Sequence, residues 1–155
     1  MIKVLLFDFS RTLIHPKPIS FIGKLNDLYK EVSSSKEFNF SNHFKLNQEI
    51  LNFISSLRKK YTLAIYTTDI LQNDPAVKPT LEEIFHHIFA ANDLSINKRE
   101  PEGYFVIAKK LEVSPEEILF VDDLMANITA AHKAGVQTIQ FTTNEDLFEN
   151  LRKLL

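Results

Sequence analysis

Five short apolar runs alternate along this chain with longer stretches of helical spacing, and the first, second and fourth lead into Asp8, Thr67 and Asp122. The runs cover residues 3–7, 62–66, 87–91, 118–121 and 138–141. Each is rich in branched and aromatic residues and none shows clean alternation, the pattern of strands covered on both faces. Apolar stripes at helical spacing lie between them: 46–57, 79–86, 104–111, 127–134 and 146–155. Ser114-Pro-Glu-Glu reads as a turn or single helical turn, and Gly135 suits the left-handed residue that ends a helix. Strands alternating with helices give right-handed crossovers and a parallel sheet with helices on both faces. The expected fold is therefore α/β: a Rossmann-like three-layer α/β/α sandwich on a five-stranded parallel sheet. Residues 14–45 stand apart as a small insert, with one expected helix over 21–32 and a polar stretch after it. The chain reads as a single domain over 1–155.

Composition narrows the function classes. The 155 residues include no cysteine, so disulfides and thiolate metal sites are excluded. Eighteen basic against twenty acidic residues leave a net charge of −2, which offers no general attraction to nucleic acid or anionic membrane. No apolar run reaches the length needed to cross a bilayer, and the first residues lack the pattern of a signal peptide. A cytoplasmic protein is the expectation.

In open parallel sheets the ligand site lies beyond the carboxyl ends of the strands. The polar residues found there are Asp8 after the first run, Thr67, Thr68 and Asp69 after the second, and Asp122 and Asp123 after the fourth; Lys98 sits in a loop before a helix. With the first strand central and the second and fourth beside it, these residues converge. Carboxylates so crowded repel one another, and burial raises the cost. A hard cation with oxygen ligands removes that penalty, and few carboxylates with open positions suit Mg2+. Thr67 can donate to a phosphoryl oxygen, Lys98 can supply fixed charge, and a carboxylate aimed at phosphorus can act as nucleophile.

Four segments in order carry a resemblance. VLLFDFSRTL is similar to an apolar strand followed by D-x-D-x-T; LAIYTT is a strand ending in Thr; KREPEGYF is similar to K-P-x-P-E-x-Y/F; and ILFVDD with NITAAHKAGVQTIQF is similar to D-D-x-x-x-N-x-x-A-A-x-x-A-G. From residue 2 to about residue 141, outside the insert, the chain resembles the haloacid dehalogenase (HAD)-like hydrolases, mostly Mg2+-dependent phosphatases. The resemblance implies an aspartyl-phosphate on Asp8. It implies Mg2+ held by Asp8, Asp122 and the Ser10 carbonyl, with Asp123 acting through water or from behind. Thr67 and Lys98 would hold the phosphoryl group, with Thr68 and Arg11 further substrate contacts. Residues 14–45 would be a reduced cap, open to a large phosphorylated substrate, a macromolecule included, or covered by a second subunit in a homo-oligomer. Receiver domains also phosphorylate an aspartate, but their paired acids follow the first strand.

The departure is Ser10. Phosphatases of this family place there the acid that protonates the leaving group and then activates water. P-type ATPases have Thr at that place, phosphonate-cleaving relatives Ala, dehalogenases Tyr. Loss of general acid–base help is worth 10²–10⁴-fold, about 3–5 kcal/mol. Two readings stand: a slow phosphohydrolase, and an impaired HAD-fold binding protein. Dehalogenation is disfavoured by the Asp122-Asp123 pair. Blander roles remain for several residues: Asp123 as a helix N-cap, Lys98 as a solvated lysine, Thr68 and Asp69 as loop and capping residues. His86 and His87 have no partner at metal spacing. His15 and His43 flank the insert, where either could replace the missing acid.

Overall fold

The computed structural model describes all 155 residues. Five parallel strands form the central sheet: β1 (Val4–Phe7), β4 (Thr62–Thr67), β5 (His87–Ala90), β6 (Ile118–Asp122) and β7 (Gln137–Gln140), in the order β5-β4-β1-β6-β7. The first strand is central, with β4 and β6 as its neighbours, as the sequence predicts. Every residue of β1 and β6 is buried, which explains their unbroken apolarity.

Period two divides the strand side chains between two cores. Leu5, Phe7, Leu63, Ile65, Leu119 and Val121 face one side. There they meet α3 (Gln48–Ser55), α4 (Lys78–Ile84) and α8 (Asn144–Leu154). Val4, Leu6, Ala64, Tyr66, Ile118 and Phe120 face the other. Against them pack α5 (Ala91–Leu94), α6 (Pro101–Lys110) and α7 (Met125–Lys133). Local signals start the helices: Asn47 caps α3 through the Ile50 amide, Thr143 caps α8 through the Asp146 amide, and Pro101 opens α6 at a position where its missing N–H costs nothing. Gly135 has φ of +85° and ends α7 in the left-handed conformation expected of it. The Ser114 segment forms one 3-10 turn, Pro115–Glu117, closed by a capping box.

The insert differs from its sequence reading. Its helix, α1 (Leu25–Val32), begins four residues later than the apolar pattern suggests. The reason is distant in sequence: Arg11 Nη2 donates to the carbonyls of Phe21 (2.8 Å) and Gly23 (2.7 Å), which holds 21–23 as a loop. The polar stretch resolves into α2 (Phe40–His43) and a two-stranded antiparallel pair, β2 (Ile14–Pro16) with β3 (Phe44–Leu46). Leu25, Phe40 and Phe44 are buried in the same core as α3 and α8, so the insert is packed onto the body of the fold. It is also pinned to the segment after β4. Asn26 Oδ1 accepts from the amides of Ile70 and Leu71, Tyr29 Oη donates to Asp74 at 2.9 Å, and Lys30 pairs with Asp69. No helix is long and apolar enough to cross a membrane.

Gly103 tests this packing. A Cβ there would lie 2.6 Å from Tyr66 Oη and 3.0 Å from the Asn97 carbonyl. Tyr66 is fully buried and cannot step aside. The Gly103→Ala variant is expected to lose about 1–3 kcal/mol of stability, although alanine is the better helix former. Urea denaturation reads the change; an unaltered midpoint would refute the tight contact.

Candidate active site

Register brings the acids together. Phe7 pairs with Ile65 on one side and Val121 on the other, so one residue further along Asp8 stands level with Asp122 and Tyr66. The Asp8 amide continues the ladder by donating to the Val121 carbonyl at 2.8 Å. Asp8 and Asp122 follow the parity of Leu6 and Phe120 and share a face; Thr67 follows Ile65 and points to the other. Carboxylate oxygens of Asp8, Asp122 and Asp123 lie within 4.8 Å of one another.

Lys98 closes the group. Although it lies in a loop, it is 5 % exposed. Its ammonium bonds Asp8 Oδ1 and reaches Asp122 Oδ2 at 3.0 Å, so it is no solvated surface lysine. The rings of Tyr66 and Phe120 stand 5.2 and 5.5 Å from the ammonium. Tyr104 Oη lies 2.9 Å from the Lys98 carbonyl and 3.1 Å from that of Asn127, tying the lysine loop to the first turns of α7. Asn127 Nδ2 donates to Asp122 Oδ2 at 2.9 Å, and the Leu124 amide donates to Asp122 Oδ1 at 2.8 Å. Asp122 is thus fixed on both oxygens.

One ammonium does not balance three carboxylates. Burial, reinforced by Asp122 and Asp123, pushes Asp8 up to about 7 despite Lys98. Burial and Asp122 together push Asp123 up to about 6. Burial opposes the charge of Lys98, but Asp8 and Asp122 outweigh it and raise its pKa. This residual negative charge, with oxygen donors only, fits a divalent hard cation. The Thr67 hydroxyl is 1 % exposed and has no hydrogen-bond partner, which fits a donor awaiting a phosphoryl oxygen.

The remaining sequence candidates fall into place around this core. Ser10 is half-buried and bridges by its backbone to Ile14. Arg11 has φ of +62° and commits its guanidinium to the insert carbonyls. Thr68 is exposed. Asp123 is not the N-cap of α7; Leu124 holds that position without a side-chain cap. His86 Nδ1 accepts from the Leu63 amide at 3.0 Å, and His43 stacks on Phe38. Half-buried His15 is pushed down by burial and by Arg11. Sequence reasoning missed the box of Tyr66, Tyr104 and Phe120 around Lys98. The parity of Phe120 with Asp122 was an available signal for it. A cavity of about 730 Å³ lies at the opposite ends of the strands beside Lys3, Arg58 and His86, away from the acids.

Known proteins resemble this chain in sequence and in fold. A family model described as haloacid dehalogenase-like hydrolase matches residues 9–141. A phosphorylated carbohydrates phosphatase of Thermotoga maritima is 29% identical over 118 residues, 74% of this chain and 55% of that protein. A phosphoglycolate phosphatase of Salmonella typhi is 33% identical over 73 residues, 44% of this chain and 29% of that protein. The chain spans about half, or less, of the length of these curated relatives. Among solved structures, a HAD-family enzyme of Bacteroides thetaiotaomicron in complex with magnesium and inorganic phosphate superposes with a TM-score of 0.66 at 18% identity, covering 94% of this chain and 97% of that one. A predicted HAD-like hydrolase from Porphyromonas gingivalis gives a TM-score of 0.71 at 19% identity, covering 99% and 98%. On the family match, which spans most of its length, this chain belongs to the haloacid dehalogenase-like hydrolases.

Proposed function

We propose that this protein is a Mg2+-dependent phosphohydrolase that forms an aspartyl-phosphate on Asp8 and releases it slowly. The observation that carries the reading is the convergence of Asp8, Asp122 and Lys98 at the carboxyl ends of two adjacent strands, with the unpartnered Thr67 hydroxyl at the end of the strand beside them. Asp8 and Asp122 would hold the ion with the Ser10 carbonyl, and Asp123 would act from behind. Bound there, Mg2+ would supply positive charge for the phosphoryl oxygens.

The chain's own groups do the rest. Lys98 engages Asp8 through Oδ1, and Oδ2 has no protein donor, which leaves that oxygen to attack phosphorus. Thr67 and Lys98 donate to phosphoryl oxygens as charge redistributes. Arg11 fixes the 21–23 loop beside the nucleophile. Residues 14–45 act as a reduced, fixed cap, because α1 is pinned beside β4. Ser10 offers no carboxyl to activate water against the phospho-aspartate, so hydrolysis is the slow half. The same serine favours a second reading, a binding protein that keeps the ion site without turnover.

Mass spectrometry separates the two readings. Protein loaded with Mg2+ and incubated with acetyl phosphate is expected to gain one phosphoryl group on Asp8, and Asp8→Asn none; Mg2+ binding without any adduct supports the binding protein. Ser10→Asp is expected to raise steady-state turnover by roughly 10²–10⁴-fold. Unchanged turnover would place the obstacle elsewhere.

The raised acids also make the metal effect depend on pH. The folded value for Asp8, about 7, lies above the ordinary carboxyl value. Without metal, its contribution to stability is complete below about 4 and is lost as pH rises through about 7. Mg2+ competes with that proton. The rise in Tm produced by Mg2+ should therefore be larger at pH 8 than at pH 5, and Asp8→Asn should weaken the trend. Equal shifts at both pH values would contradict the charge balance described above.

A further inference from the structure

The mouth of the site has a chemical character of its own. Singly exposed apolar side chains are ordinary, but five of the eight large ones here gather on three segments. Ile19 and Ile22 lie in the loop after β2, which Arg11 ties to the segment following Asp8; Ile70 follows β4 and Thr67, and Leu124 and Met125 follow β6 and Asp122. Ile22 is 96 % exposed although the carbonyls on either side of it are bound by Arg11, three residues beyond the nucleophile. The backbone of this loop is held while its apolar side chain is presented to whatever enters.

A second, independent observation concerns the leaving group. On the Ser10 side of Asp8 the structure offers a hydroxyl and a guanidinium already committed to two carbonyls. No carboxyl there can hand a proton to a departing oxygen. An aliphatic alcohol is about as weak an acid as water and leaves poorly as its anion. A phenol, near 10, needs far less help. Apolar contact and a self-sufficient leaving group coincide in one class of ester.

Resting on the phosphohydrolase reading above, we propose that the substrate is an aryl phosphate monoester, whose ring lies against Ile22, Leu124 and Met125 while its phosphoryl group meets Asp8. An Asp8 carboxylate oxygen forms the new bond to phosphorus, and the bond from phosphorus to the phenolic oxygen breaks with its electron pair. The phenolate departs unassisted and takes its proton from bulk water. Water then attacks phosphorus, the bond to Asp8 breaks with its pair returning to the carboxylate, and the water proton leaves with the phosphate.

Phenyl phosphate and cyclohexyl phosphate make the test, since they match in ring size and differ in leaving group. The Mg2+-loaded protein is mixed with each, and the phospho-Asp8 adduct is followed by rapid quench and mass spectrometry. The phenyl ester should phosphorylate Asp8 at least ~100-fold faster, and Ser10→Asp should shrink that ratio by accelerating chiefly the cyclohexyl ester. Ile22→Ser and Met125→Ser should each raise the phenyl phosphate concentration at half-maximal rate by roughly three- to tenfold, with little change in the limiting rate. Equal rates from the two esters would overturn the leaving-group argument, and unaltered half-saturation in both rim variants would overturn the apolar contact. Absence of adduct from both esters would overturn the phosphoryl-transfer reading itself, and this inference with it.

Discussion

Negative charge at the end of a buried sheet is the constraint on which the rest of the molecule turns. The central strands carry Asp8 and Asp122 side by side into a region nearly closed to water. Such crowding is unfavourable unless positive charge answers it. The fold supplies one ammonium, that of Lys98. It holds the ammonium with two carboxylates and two aromatic faces, and anchors the Lys98 backbone through Tyr104. Asn127 and the Leu124 amide hold Asp122 from the other side. The charge left over is suited to a divalent cation and, through it, to phosphate.

The insert and Ser10 set what such a centre can do. The insert is built into the main core and latched to the segment after β4. Ser10 offers a hydroxyl where a carboxyl could have moved a proton. In the function proposed above, the apolar rim and the leaving group would be the two filters on the substrate.

The meeting of Asp8 and Asp122, with Thr67 at the end of the neighbouring strand, was legible in the sequence because it follows from two local facts. Each ends an apolar run, and parallel strands place their carboxyl ends together. Period two then sorts them by face. Lys98 was assigned its place by resemblance, since nothing in a loop lysine announces burial. The aromatic box escaped because Tyr66, Tyr104 and Phe120 read as ordinary core. The start of α1 was misplaced by four residues because Arg11, ten residues before Phe21, claims the carbonyls of that loop. The three-residue strands β2 and β3 include Pro16 and Lys45 and are too short to show a period. Pro101 did mark the start of α6, a signal that the apolar stripe alone obscured.

The claim beneath all of this is that a divalent ion completes the charge balance between Asp8 and Asp122. Crystals grown with Mn2+ and measured for anomalous scattering would show it directly. The account predicts a single peak in contact with both carboxylates and the Ser10 carbonyl, lost in Asp122→Ala. Carboxylates held by Lys98 alone, with no peak between them at millimolar Mn2+, would contradict it.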